Sequence, residues 1–250
     1  MKKYIVFNWK ANPKTLVQAK RLFGAAKEAA AKAKHIEIII CPPFPYIPFL
    51  KSFGNLKLGG QNCHWQGGPF TGEVSPEMLE GLGCEYVILG HSERRRVFKE
   101  TDKIINKKVL AGLKTGLKVL LFLGEQKPMS LDRGFKEIRK QFKIGLTGVR
   151  DNQLSDLILV YEPAFAISAS GGKPLLPKDV KKRVIFLRSL LVEKFGQKGK
   201  RVKILYGGSV DNKDAIGFVG QGGVEGVVVG RMSLNSKVFS KIIISIGKIK

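Results

Sequence analysis

The 250-residue chain has little of what marks several protein classes. Its three cysteines, Cys41, Cys63 and Cys84, are an odd number without a C-x-x-C spacing. That excludes a disulfide framework and reads as reduced thiols in a cytoplasmic protein. Its three histidines, His35, His64 and His91, are scattered, and no pair has metal-ligand spacing, so no metal site is expected. No apolar run is long enough to cross a bilayer, and the amino-terminal run, residues 4 to 7, is too short for a secretory core. No Ser- or Pro-rich linker or charge block divides the chain, so residues 1–250 read as one domain. Acids are the scarcest group relative to their opposites: 20 Asp and Glu face 44 Lys and Arg, a net charge of +24. Such a balance favours anionic ligands and attracts polyanions nonspecifically, but carries no information about fold.

What is present is a repeating pattern. Short apolar runs at Tyr4–Phe7, Ile36–Ile40, Leu56–Gly60, Tyr86–Gly90, Lys118–Phe122, Leu157–Tyr161, Val202–Tyr206 and Val224–Val229 read as strands buried on both faces. Between them lie helical stretches, including Pro13–Lys34, Tyr46–Phe53, Glu77–Leu82, a region reaching Leu113, Leu131–Ile144 and Ser233–Ile246. Lys178–Phe195 carries Val180, Val184, Leu187 and Leu191 on one helical face. Strand starts are spaced by about 31 residues, which suits consecutive βαβ units. Eight units in this length predict an α/β fold, a closed (β/α)8 TIM barrel. An open doubly wound sheet is the rival, but no G-x-G-x-x-G follows the first strand.

In such a barrel the loops after the strands' carboxyl ends build the active site. Strand six runs into Glu162-Pro163 and then small residues with a Gly pair, a composition suited to a lid. Alone, Glu162 could simply end a strand in solvent. Strand one ends in Asn8-Trp9-Lys10, and residues two apart on extended chain point the same way. An inward lysine is expensive unless it meets an anion. Strand four ends in Gly90-His91-Ser92-Glu93, with His91 at a helix start, where the dipole disfavours imidazolium and leaves a ring able to donate. Strands seven and eight end in Tyr206-Gly-Gly-Ser209 and Gly230-Arg231, Gly-rich turns of the kind that hold phosphate on backbone N–H groups.

Together these stretches resemble the triosephosphate isomerase family from end to end. The resemblance is carried by Asn8-Trp-Lys10, Gln61-Asn62, Phe70-Thr-Gly-Glu-Val-Ser75, Leu89-Gly-His-Ser-Glu-Arg-Arg95, Gly124-Glu125, Tyr161-Glu-Pro163, Tyr206-Gly-Gly-Ser-Val210 and Val229-Gly230. It implies interconversion of dihydroxyacetone phosphate and glyceraldehyde 3-phosphate without a cofactor. Glu162 would be the base, His91 the group that polarises the carbonyl, and Lys10 the balancing charge, with Asn8 beside it. Phosphate would sit on N–H groups near Ser168, Ser209, Gly230 and Arg231. Glu93 would be the family's carboxylate beside Lys10, although an ordinary helix-start ion pair is also a credible reading, and Tyr206 would be a further supporting residue. These roles, and closure of a lid over the substrate, are what the resemblance implies. The long segment 61–75, with Trp65 and Phe70, reads as an interface loop. The resemblance implies a homodimer in which Thr71 reaches the partner's Asn8–Lys10 region.

Three departures stand out. The lid reads Phe165-Ala-Ile-Ser168-Ala-Ser170 where the family has Trp-Ala-Ile-Gly-Thr-Gly, and it runs longer, to Pro177. Arg231 replaces a Gly, and a left-handed backbone there would be strained. Leu123 stands where a Cys is usual. Two rival functions are another phosphosugar isomerase or lyase on the same barrel, and a basic barrel that binds nucleic acid. Residues 178–203 hold ten Lys and Arg against Asp179 and Glu193, read here as a solvated outer helix face. Nucleic-acid binding is expected to be weak and nonspecific, since no aromatic stacking platform accompanies that patch.

Overall fold

A computed structural model of the chain describes residues 2–54, 56–167, 175–211 and 214–249. Eight parallel strands close into a barrel in sequence order: β1 Lys3–Asn8, β2 Ile36–Cys41, β3 Lys57–Gly60, β4 Tyr86–Leu89, β5 Lys118–Leu123, β6 Leu157–Tyr161, β7 Lys203–Tyr206 and β8 Gly226–Val229. Tyr4 of β1 pairs with Gly226 of β8, which shuts the ring. The helices around it are α1 Leu16–Ala31, α2 Ile47–Phe53, α3 Pro76–Gly81, α4 Ser92–Arg96, α5 Asp102–Lys114, α6 Leu131–Gly145, α7 Pro177–Phe195, α8 Ala215–Gly220 and α9 Ser236–Gly247.

The strands are apolar throughout because both of their faces are covered. In β6, Leu157, Leu159 and Tyr161 pack outward with the helices, whereas Ile158 and Val160 fill the interior with Val6, Leu120, Phe122 and Val228. Burying one such side chain stabilises by about 1.5–3 kcal/mol. The same alternation carries past the strand ends: Asn8 follows the phase of Val6, and Glu162 that of Val160, so both turn toward the barrel mouth. The opposite end is closed by charge. Lys2 and the Tyr86 hydroxyl both bond to buried Glu37, and Lys57 pairs with Glu85 at 2.8 Å. The three cysteines are free and buried, and burial pushes the Cys63 and Cys84 thiols up to about 12.

The predicted elements are present with shifted ends. The first helix starts at Leu16, where Thr15 accepts the Gln18 N–H, and not at Pro13. The region predicted as one helix up to Leu113 is two, α4 and α5. Lys99 adopts φ 56, and Thr101 caps a new start by accepting from Ile104. The last helix likewise divides into a 3-10 turn, Arg231–Leu234, and α9. Segment 61–75 has no helix or strand. Its aromatics, however, are half-buried: His64 stacks on Trp65 and Phe70 with ring centroids 3.8 and 4.1 Å away. Phe98, an exposed apolar side chain, shares a hollow with Gly72 and Glu73 of this segment. Most of the 178–203 patch faces outward, but Arg183 is buried, Lys203 is half-buried, and the half-buried Arg188 pairs with Glu225. Among the described residues no helix is long and apolar enough to cross a membrane.

Candidate active site

A cavity of about 370 Å³ opens at the carboxyl ends of the strands. Asn8, Lys10, His91, Glu93, Glu162, Ser209, Gly230 and Arg231 all line it, so residues from five strand ends meet in one place.

Lys10 enters from β1 in an unusual backbone conformation, φ 54. Its N–H donates to Asn8 Oδ1 at 3.1 Å, and its carbonyl accepts from Gln61 Nε2 at 2.9 Å. Gln61 also reaches the Cys41 carbonyl, tying the ends of β1 and β2 together. The Lys10 ammonium lies 2.5 Å from Glu93. Burial pushes the Glu93 carboxyl up, but the Lys10 hydrogen bond and the positive charge around it prevail and hold it below its ordinary value.

His91 is placed by the turn between β4 and α4. Gly90 adopts φ 76, and a Cβ there would meet the Phe122 carbonyl at 2.8 Å, so only glycine fits. Arg95 clamps the turn by donating to the Gly90 carbonyl at 2.8 Å and pairing with Asp102 at 2.5 Å. His91 Nδ1 accepts the Glu93 N–H at 3.2 Å, which leaves the ring hydrogen on Nε2. Nε2 in turn lies 3.1 Å from Glu162. The Glu162 carboxylate, buried at 3% exposure, also accepts the Ser92 N–H at 2.7 Å. An acceptor-only carboxylate thus sits against a donor-bearing neutral imidazole with an ammonium across the cavity. That set can take a proton from carbon while polarising an adjacent carbonyl.

At the other end of the cavity, Ser209 Oγ donates to the Ala166 carbonyl at 3.0 Å, and Ser233 bonds the Gly230 carbonyl through both N–H and Oγ. Arg231 opens a 3-10 turn, and the non-glycine residues with positive φ among those described are Lys10, His35 and Lys99. The left-handed strain considered at Arg231 is therefore absent, and the cavity-lining residue that carries it is Lys10. Asp211 and Asp214, which were not picked out in the sequence, also line this end. Tyr206 lies buried beneath the cavity, its hydroxyl against Gly208. Ser168 falls outside the described residues. Thr71 is exposed and does not line its own chain's cavity. Gln61 and Arg95, quoted only as motif letters in the sequence, prove to hold Lys10 and His91 in place.

A second hollow of about 340 Å³ adjoins the first, sharing Asn8, Lys10, His91 and Glu93 and walled by Phe44, Cys63 and Phe98.

The family model described as triosephosphate isomerase matches residues 3–246. A relative of that name from Aquifex aeolicus (strain VF5) is 38% identical, covering 98% of this chain and all of its own length. Another, from Alkaliphilus oremlandii (strain OhILAs), is 37% identical over 97% of this chain and 98% of its own. The crystal structure of triosephosphate isomerase from Bartonella henselae overlays with a TM-score of 0.83 at 30% identity, covering 97% of this chain and 98% of that one. On sequence, barrel and cavity together, the chain belongs to the triosephosphate isomerase family.

Proposed function

We propose that this cavity carries out the family's reaction through Glu162, His91 and Lys10 in one catalytic domain spanning residues 1–250. The protein interconverts dihydroxyacetone phosphate and glyceraldehyde 3-phosphate through an enediolate, without a cofactor. In our reading Glu162 takes the proton from the carbon beside the carbonyl and returns it to the neighbouring carbon. His91 donates from Nε2 to the carbonyl oxygen as charge develops there, and Lys10 balances the enediolate and phosphate charge. Asn8 holds the Lys10 backbone, and Glu93 holds its ammonium. Phosphate takes the N–H groups near Ser209, Gly230 and Arg231, with Ser168 completing them. The observation that carries the reading is the meeting of base, neutral imidazole and ammonium in a single cavity. A coupled assay on the purified protein with glyceraldehyde 3-phosphate and chelator tests it: turnover supports the reading and inactivity defeats it.

The working unit in this proposal is a homodimer. The second hollow, apolar on one wall and open to Lys10 on the other, suits insertion of a 61–75 loop with Thr71 from a second copy. Phe98 and Val97 supply exposed apolar surface beside it. Free buried thiols fit the reducing cytoplasm. Nucleic-acid binding is proposed to be no tighter than the roughly 10⁻⁴–10⁻⁶ M of nonspecific charge contacts.

A further inference from the structure

The turn after β5 carries a charge that the reaction does not use. Glu125 is only 1% exposed, so its carboxylate needs compensation within the protein. Arg183 of α7, itself buried, donates from Nε to Oε1 at 3.2 Å. The Tyr161 hydroxyl donates to Oε2 at 2.9 Å. Glu137 of α6 is the other carboxylate close by, and burial first, then the Glu125 charge, push it upward.

This buried pair lies directly behind the base. The Ala164 N–H donates to the Glu125 carbonyl at 2.9 Å, and the Glu162 N–H to the Leu123 carbonyl at 2.9 Å. A Cβ on Gly124 would fall 2.3 Å from the Glu162 carbonyl oxygen, so the β5 turn presses on the base's own backbone. Gln141 grips Gly124 from behind, accepting its N–H at 2.9 Å and donating to its carbonyl at 3.0 Å. Tyr161, Glu162 and Ala164 are therefore all bonded to residues 123–125. Arg183 is the cation that holds the carboxylate at the centre of that set in place. Its guanidinium also donates to the Asp179 carbonyl at 3.3 Å, which anchors it to the first turns of α7.

We propose that Arg183, acting through Glu125, is a positioning residue that sets where the Glu162 carboxylate stands relative to the substrate carbon. The proposal rests on the reading of Glu162 as the base. Arg183 does not line the catalytic cavity, so its removal should leave substrate affinity almost untouched. It should slow proton transfer instead, because misplacing a reacting group by about 1 Å costs up to about 100-fold.

The test is Arg183→Met and Arg183→Lys, with kcat, KM and the kinetic isotope effect for substrate deuterated at the abstracted position. Expected for folded Arg183→Met is a kcat lower by about 10- to 100-fold, KM within about threefold, and a larger isotope effect, partly restored in Arg183→Lys. A kcat within twofold of wild type, or a loss confined to KM, overturns the proposal. Should Arg183→Met fail to fold, Arg183→Met/Glu125→Gln removes both charges. The same fall in kcat is then expected, and a wild-type kcat overturns it. Glu162→Gln measured alongside separates the two claims. If that variant stays active, the base reading has failed. If it is inactive while Arg183→Met keeps full kcat, only the positioning role falls.

Discussion

Replacing Lys10 by glycine should make the protein more stable than replacing it by alanine, while both changes abolish most activity. At φ 54 an L-residue carries roughly 1–2 kcal/mol of strain that glycine does not. Glycine loses about 0.5–1 kcal/mol more chain entropy on folding, which leaves a net advantage of about 0.5–1 kcal/mol over alanine. Both variants lose the ion pair with Glu93 and keep the backbone bonds to Asn8 and Gln61, so those effects cancel in the comparison. In a 250-residue chain that difference is about 1–4 °C in Tm, measurable by thermal unfolding. Activity moves the other way. An ammonium about 4 Å from developing negative charge contributes about 4 kcal/mol at an effective dielectric of 20, or nearly 10³-fold in kcat/KM. A glycine variant no more stable than the alanine variant would refute the strain argument. Either variant keeping a tenth of wild-type kcat/KM in the coupled assay would remove Lys10 from the mechanism.

Three further outcomes follow from charge and surface. The Glu93 carboxyl is held below its ordinary 4.5, so it contributes stability above that pH which is lost as pH falls through the lowered folded value. Glu93→Gln should thus be less stable than wild type at neutral pH, with the gap closing as pH falls below the ordinary carboxylate range; a gap that stays constant on acidification would contradict the pairing. With a net charge of +24, inert salt should lower kcat/KM and leave kcat nearly unchanged, the Debye length being about 8 Å at 0.15 M. A salt-independent kcat/KM would mean that the field does not steer the substrate. Light scattering should find a dimer at working concentration, and a fully active monomer would refute insertion of the 61–75 loop.

Much of this was legible before any coordinates. Strands buried on both faces leave uninterrupted apolar runs, and Asn8, Glu162, Ser209 and Gly230, at or just past their ends, keep the strand's inward phase, whereas His91 is turned into the cavity by the left-handed Gly90. What was not legible depended on contacts distant in sequence or on backbone shape. Lys10 gives no sign in sequence of its left-handed conformation, because Gln61, 51 positions away, holds its carbonyl. Arg183 read as one more cation on a basic helix, since its carboxylate partner lies 58 positions earlier. Trp65 and Phe70 read only as aromatics of an interface loop, because nothing in sequence reveals that His64 stacks on both of them. Arg231 drew suspicion as a non-glycine at a turn, yet the chain takes a 3-10 turn there and no left-handed residue is needed.

The central claim is that Glu162 is the base, and Glu162→Gln tests it most directly. The change preserves shape, and its one amide oxygen can meet either the Ser92 N–H or His91 Nε2 but not both, so a modest loss of Tm is expected while binding of a nonreactive phosphate ligand persists. The account predicts that kcat in the coupled assay falls by about 10² to 10⁴ or more, the usual consequence of losing a general base. A variant that keeps a tenth of the wild-type rate would contradict it.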